Sequence, residues 1–196
     1  MRKPSSSRLS RFTARFARAE RGVTAVEFGL VSLPILVMIF GLLELALVFM
    51  VTTTLDTATQ TVARQIRTGA FQTGSANSKA NLKTLVCAQM SWLQSKCTTN
   101  LWLDVRSFAD FNSLASAAPP PFAATYPVAP PTCFSPGNPT DIILVRAYFE
   151  WDLFTPLLNA ALENMGSGSG KRLISSTTAF RNEPFSTDPP VGAQCA

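Results

Sequence analysis

Side chains that could carry out catalysis are sparse in this chain. It contains no histidine, which removes the commonest general base and metal ligand. The glycine-rich stretch before Lys171 is not a phosphate-binding loop, because Met165 stands where the first glycine belongs and Arg172 replaces the required Ser or Thr. Its central residue, Gly168, also breaks the pattern of a serine nucleophile elbow. We therefore predict no enzyme, no metal site and no cofactor. The scattered acids of the C-terminal part are predicted to be solvated or capping: Asp104, Asp110, Asp141, Glu150 and Asp152.

Two other carboxylates stand out for their setting. Glu27 directly precedes an apolar run from Phe28 to Val51, in which Glu44 is the only ionisable residue. A charge within a membrane costs roughly 2–3 kcal/mol unless it is paired, protonated or close to the surface. Glu44 therefore either reaches the outer headgroups or contacts a polar or basic group on a partner helix. Pro34, in the same run, removes one helical hydrogen bond and should bend or locally open the helix.

The apolar run is long enough to cross a membrane. A hydrocarbon core of about 30 Å needs roughly 20 apolar residues as a helix, and in lipid a helix is the only open-chain structure that satisfies its own backbone. The residues before Gly22 carry a net charge of +6, whereas the rest of the chain carries −1. Basic flanks stay in the cytoplasm, so everything after Val51 should lie beyond the membrane. The nearly neutral remainder gives no sign of a nucleic-acid partner.

A secretory signal that is removed with its apolar run fits poorly. The run is about twice the usual h-region of 7–15 residues, and the bulky Val48–Val51 offers no small-x-small cleavage site. A plain membrane anchor remains an open alternative.

A cut before the apolar run fits better. Gly22 is followed by four residues and then by Glu27 and Phe28, which resembles the prepilin-peptidase site of type IV pilins and pseudopilins. The wider segment resembles the opening of the TadE family of the tight-adherence (Flp) pilus system. It departs at Gly29 and Ser32, where that family more often has apolar residues. The positions that carry the resemblance are Ala25, Val26, Glu27, Phe28, Leu33, Pro34, Gly41 and Glu44.

A second segment near the C-terminus carries the same resemblance. The sequence Arg181-Asn182-Glu183-Pro184 is similar to the R-N-E-P closure common near the end of TadE-like domains. The family resemblance implies a minor pilin or pseudopilin of the inner membrane, with its N-terminus cytoplasmic and its C-terminal domain periplasmic, or incorporated in the pilus. It implies as partners a prepilin peptidase, other pilins or pseudopilins, the pilus assembly platform and the lipid bilayer.

Cleavage after Gly22 would leave a new ammonium on Val23. Glu27 lies four residues on, about one helical turn away and on the same face. Its carboxylate can neutralise that amine or the amine of a neighbouring subunit. The alternative for Glu27 is that its carboxylate only reaches water at the membrane surface and pairs with no amine.

The pattern beyond the membrane predicts an α+β fold, with a long N-terminal transmembrane helix as a pilin-like stem and a small antiparallel-sheet head with packed helices. Leu55, Ala58, Val62 and Ile66 recur at helical spacing, and Gly69 is a natural stop. The predicted divisions are a leader over residues 1–22, a stem over 23–69 and a head over 70–196. The predicted head elements are a helix over Lys79–Leu93, strands over Leu101–Phe108, Asp141–Trp151 and Leu173–Arg181, a short helix over Pro156–Met165, and an extended proline-rich surface loop over Ala118–Thr140.

All four cysteines, Cys87, Cys97, Cys133 and Cys195, follow the apolar run, in what should be an oxidising periplasm. Three pairings are possible. Cys87–Cys97 requires the helix to end near Leu93, because an unbroken helix would hold them about 15 Å apart. We favour that pairing together with Cys133–Cys195.

Two other function classes stay open. One is an uncleaved single-span scaffold whose head binds partners. The other is an adhesin or carbohydrate binder that uses Trp92, Trp102 and Trp151, although all three lie in amphipathic elements where core packing is favoured.

Overall fold

The computed structural model describes residues 20–74, 77–120 and 132–186, and side chains from residue 22 onward. The predicted fold class is confirmed: a long N-terminal apolar helix precedes a three-stranded antiparallel sheet with packed helices. The elements are α1 (Glu20–Arg67), α2 (Lys79–Gln89), a 3₁₀ turn (Ser91–Leu93), α3 (Gln94–Asn100), β1 (Leu101–Phe108), α4 (Phe111–Ala115), β2 (Ile142–Asp152), a second 3₁₀ turn (Pro156–Leu158), α5 (Asn159–Leu162) and β3 (Lys171–Arg181).

The chain divides into two compact units, with the division between Leu43 and Glu44. The described part of the first unit is the N-terminal half of α1. Its large apolar side chains are mostly exposed, up to 73% for Phe28. A helix this long and apolar can cross a membrane by length and composition, and lipid is the solvent in which such a surface costs nothing. The helix indicates a single-pass, membrane-anchored protein.

The second unit is built on the C-terminal half of α1. Its apolar stripe begins at Val51 and continues through the four predicted positions Leu55, Ala58, Val62 and Ile66, all of them buried. The spacing of three and four residues places the stripe on one helix face. This face belongs to the same hydrophobic core as the β2 residues Ile143, Val145, Ala147 and Phe149.

The described sheet has the order β1-β2-β3 with antiparallel neighbours. The three strands predicted from the sequence are present, although β2 begins one residue later than predicted and β3 begins two residues earlier. Alternate residues of β2 point to opposite faces, and Ile142 and Leu144 are as buried as the core-facing Ile143 and Val145. Both faces of the central strand are therefore covered.

The helix predicted over Lys79–Leu93 is wrong at its end. α2 stops at Gln89, and Ser91 has a φ of 35° at the start of the 3₁₀ turn. The chain then turns into α3, which the sequence did not predict. This reversal brings the Cα atoms of Cys87 and Cys97 to 5.5 Å, and the two residues form a disulfide. Cys133 is also disulfide-bonded, while its predicted partner Cys195 lies outside the described residues.

The helix predicted over Pro156–Met165 is shorter than expected. It consists of one 3₁₀ turn and the single turn of α5, which ends at Leu162. Glu163 is already extended, and its carboxylate accepts hydrogen bonds from the backbone N–H groups of Gly168 and Gly170 at 2.7 and 2.9 Å. These bonds lower the pKa of Glu163. The helix therefore ends early because Glu163 closes the glycine-rich turn.

The proline-rich segment was predicted to lie on the surface, which is wrong for its C-terminal part. Residues 121–131 lie outside the described residues. Beyond them, Phe134 is fully buried and pairs in parallel with Val105. The Val105 N–H donates to the Cys133 carbonyl at 2.9 Å, and the Ser135 N–H donates to the Val105 carbonyl at 2.8 Å. This part of the segment covers the outer edge of β1, which would otherwise present unpaired backbone groups.

Candidate functional site: the stem and the contacts that hold it

The predicted processing residues lie in the first turns of α1. Gly22, Val23, Glu27 and Phe28 are all exposed. A Cβ atom built at Gly22 meets no described atom within 4 Å. Glu27 forms no ion pair with another described residue. No atom of the described residues therefore covers the Gly22–Val23 bond on the side of Val23.

The residue type at position 22 makes the helix backbone easier to open there. α1 is described from Glu20 onward, and Gly22 is a helical residue in it. Glycine is less favourable than alanine in a helix by about 1 kcal/mol. Unwinding the helix at Gly22 therefore costs less than it would at an alanine. Val23 and Glu27 are one helical turn apart, so their side chains are neighbours on one face.

Pro34 was predicted to bend or open the helix. α1 runs without interruption from Glu20 to Arg67 and contains Pro34 within it. Proline has no N–H, so the carbonyl of Leu30 lacks its usual intrahelical donor. The proline weakens the helix at this point without ending it.

Glu44 lies in an environment that the sequence did not predict. It is only 2% exposed. Its Oε2 atom accepts hydrogen bonds from the backbone N–H of Phe154 at 2.9 Å, from the N–H of Thr155 at 3.0 Å and from the Thr155 hydroxyl at 3.1 Å. Its second carboxylate oxygen, Oε1, is buried and has no hydrogen-bond partner among the described residues. The donors to Oε2 belong to the loop that follows β2 in the same chain. No sequence signal connects two sites this far apart.

The predicted closure motif lies at the C-terminal end of α1. The N–H of Glu183 donates to the carbonyl of Arg67 at 2.9 Å, and the two side chains form an exposed ion pair at 3.3 Å. Asn182 is buried, and its amide group donates to the carbonyls of Pro136 and Asn138, both at 3.1 Å. The motif thus joins the end of β3 to the end of the stem helix.

The turn after α1 has no room for a side chain. Gly69 has a φ of +78°, and a Cβ atom built on it would lie 2.3 Å from the ring of Phe185. We expect Gly69→Ala to lower the free energy of unfolding by about 2–4 kcal/mol, since it adds backbone strain and a clash with a packed ring. Denaturant unfolding of the detergent-solubilised chain would measure this loss.

Gly168→Ala is the matched control for this prediction. Gly168 has a φ of +76°, yet a Cβ atom there meets no described atom within 4 Å. It therefore reports the backbone strain alone, about 1 kcal/mol. Equal losses in the two variants would contradict the packing of Phe185 on Gly69.

A buried ionic cluster lies on the sheet. Asp104, predicted to be solvated or capping, is 0% exposed. It accepts from Arg106 Nε at 3.1 and 3.0 Å and from the N–H of Cys133 at 2.8 Å, and Arg146 Nη1 lies 3.7 Å away. Arg146 also donates to the carbonyls of Ala117 and Ala118. The cluster ties both ends of the proline-rich segment to the sheet.

By contrast, Asp110 is an exposed cap, and the Ser113 N–H that donates to it lowers its pKa.

Comparison with known proteins gives one family match, and it covers part of the stem. Residues 22–64 match the family described as TadE-like protein. This segment is similar to TadE-like proteins. The matched segment contains Gly22, Glu27, Pro34 and Glu44, but not the closure motif. No curated protein and no solved structure matches the chain. The TadE-like family is a structural pilus component and is not known as an enzyme family. The match suggests a Tad pilus-associated protein.

Proposed function

We propose that this TadE-like protein is a minor pilin or pseudopilin of a tight-adherence pilus, trimmed by a prepilin peptidase after Gly22. The observation that carries the proposal is the exposed Gly22–Phe28 segment, located where the family match begins. The glycine, the acid at the fifth position after the cut and the following aromatic residue all lie in an exposed stretch of about two helical turns. The basic leader places this stretch on the cytoplasmic side of the membrane.

Trimming changes the charge at the start of the stem. Hydrolysis of the Gly22–Val23 peptide bond consumes one water, leaves a carboxylate on the released leader and creates an ammonium on Val23. It also removes a leader with a net charge of +6. The new ammonium lies beside Glu27, either in the same chain or in a neighbour, and this pair offsets the cost of a charge near lipid.

The trimmed stem can then pack beside other stems. The apolar side chains of the first unit are exposed on its surface, so they are available to lipid or to the helices of other pilins. The head, beyond the membrane, engages further components of the assembly platform.

The mass of the protein from its native membrane tests this proposal. Trimming after Gly22 leaves residues 23–196, which is 174 of the 196 residues. We expect Gly22→Ala to block trimming, because a methyl group hinders close approach to the backbone and stabilises the helix there. Gly29→Ala is the matched control, since Gly29 is a second helical glycine with no described atom near its Cβ position.

Each other outcome would indicate a different function or a different cleavage site. Retention of residues 1–22 in the native membrane would leave an uncleaved single-span scaffold. Unchanged trimming of the Gly22→Ala protein would move the cleavage site elsewhere. An N-terminus beyond Val51, found by Edman sequencing, would make α1 a discarded export signal.

A further inference from the structure

The head carries an exposed aromatic patch beside the loop that holds Glu44. Phe154 is 58% exposed, and Leu157, three residues on, is more exposed still. Trp92 and Trp151 make an edge-to-face contact with ring centres 6.2 Å apart, and Trp151 makes another with Phe154 at 5.4 Å. We name these four residues (Trp92, Trp151, Phe154 and Leu157) the aromatic foot. Trp92, Phe154 and Leu157 form its exposed surface, and Trp151, which is 4% exposed, is the buried ring that both aromatic neighbours contact.

The attachment point of the foot fixes its level along α1. The N–H groups of Phe154 and Thr155 are both bonded to Glu44. Past Glu44, the exposed surface of α1 stays apolar through Phe49 and Met50 and becomes polar at Thr53. Six residues of α-helix, from Glu44 to Met50, span about 9 Å. The foot is therefore tied to α1 about 9 Å before the apolar surface of the helix ends.

We propose that the aromatic foot inserts into the headgroup region of the bilayer leaflet that adjoins the head. Aromatic residues with one polar edge are favoured at that depth. Trp92 is the exposed residue of this type in the foot, and Phe154 and Leu157 add apolar surface. If the stem is anchored, lipid contacts the exposed Leu45, Phe49 and Met50 of α1. The foot is bonded to the same part of the helix at Glu44. In water the same patch would expose three large apolar side chains, Trp92, Phe154 and Leu157, at a cost.

Charged side chains border the foot in the manner of an interfacial site. Lys96 lies over the Trp151 ring at 5.9 Å and pairs with Asp152 at 3.1 Å. Lys171 bonds to both Glu150 and Asp152. Burial alone would lower the pKa of Lys171, but these two hydrogen bonds outweigh it and raise the pKa above its usual value. The rim therefore stays charged at neutral pH, at the edge of an apolar centre.

Insertion of the foot would constrain the orientation of the whole head. A lone transmembrane helix leaves an attached domain free to tilt at the membrane surface. A second contact, made by the foot beside the helix, would set the depth and the orientation of the head. The inference rests on membrane anchoring of α1 and not on trimming after Gly22, so the two proposals can fail separately.

Photo-crosslinking of the full chain in vesicles of phosphatidylethanolamine and phosphatidylglycerol tests the foot. The probe is Phe154→p-benzoylphenylalanine, which keeps an aromatic ring at the position. Phe111 is the matched control, because it is 57% exposed against 58% for Phe154. It follows the end of β1 at Phe108, whereas Leu101 at the other end of β1 pairs with Phe149 near the foot. Seven residues of strand separate those ends by about 23 Å.

We expect a lipid adduct at position 154, detected by mass, and several-fold less lipid adduct at position 111. The same probe at Phe49 should also label lipid, which shows that the stem is inserted. Lipid labelling at 49 without labelling at 154 would overturn the foot while leaving the anchor intact. Crosslinking at 154 to a second copy of the chain, in place of lipid, would assign the patch to a subunit contact and would also overturn it.

Discussion

Asp104→Ala is expected to lower the free energy of unfolding by about 3–5 kcal/mol, the cost of leaving a buried cation without its partner. Arg146 is nearly as buried as the fully buried Asp104, so it cannot turn to water when the carboxylate is removed. Arg106 loses both of its bonds to Asp104, and the N–H of Cys133 loses its acceptor. The proline-rich segment should therefore loosen from the edge of β1.

Denaturant unfolding with both disulfides intact would measure the effect, and Asp110→Ala is the matched control. Asp110 is an exposed aspartate that caps the five-residue helix α4, so its loss should cost only about 0.5–1 kcal/mol. Adding Arg146→Ala to Asp104→Ala should recover part of the stability, because it removes the unpaired charge. A loss no larger than that of Asp110→Ala would contradict the description of Asp104 as the centre of a buried cluster.

The elements predicted best are those that bury one face against a single neighbouring surface, because that burial sets the spacing of their apolar residues. The stripe from Leu55 to Ile66 repeats at helical spacing because one face of α1 packs on the sheet. The strand Leu101–Phe108 is present with its predicted bounds. Local periodicity contains this information, since burial of one face imposes it directly on the sequence.

The ends of the short helices were not predictable in the same way. α2 ends before Leu93 because the chain must reverse to join Cys87 to Cys97, and α5 ends because Glu163 turns to close the glycine-rich turn. Both causes are tertiary contacts that override local helix preference. The buried state of Asp104 was missed for a related reason: its partners come from β1, β2 and the segment at Cys133, and no spacing in the sequence links them.

The two acids of the stem helix have similar places in the family pattern but different contacts in the structure. The resemblance singled out Glu27 and Glu44 together, as two acids at the edge of and within an apolar run. The structure separates them: Glu27 is exposed and unpaired among the described residues, whereas Glu44 is enclosed by the head. The Glu27 carboxylate is thus exposed, whereas one oxygen of Glu44 is bonded within its own chain and the other is buried without a described partner.

Glu44→Ala is expected to release the loop after β2 from the stem helix. The N–H groups of Phe154 and Thr155 and the Thr155 hydroxyl all donate to one carboxylate oxygen. Removing that acceptor should lower the free energy of unfolding by about 1–3 kcal/mol, the cost of leaving partly buried donors unsatisfied. Hydrogen exchange gives the sharper measurement, because the amides of Phe154 and Thr155 should lose protection while those in the centre of β2 keep theirs.

Two further variants separate the hydrogen bonds from the charge and from the helix. Glu44→Gln keeps a carbonyl oxygen that can accept the same bonds, so it should retain most of the protection at Phe154 and Thr155. Glu27→Ala removes an exposed carboxylate from the same helix and should leave both the exchange rates and the unfolding free energy unchanged. If Glu44→Ala left the two amides as protected as before, the loop would be held by the packing of Trp151 and Phe154 alone, and Glu44 would have no part in seating the head on the stem.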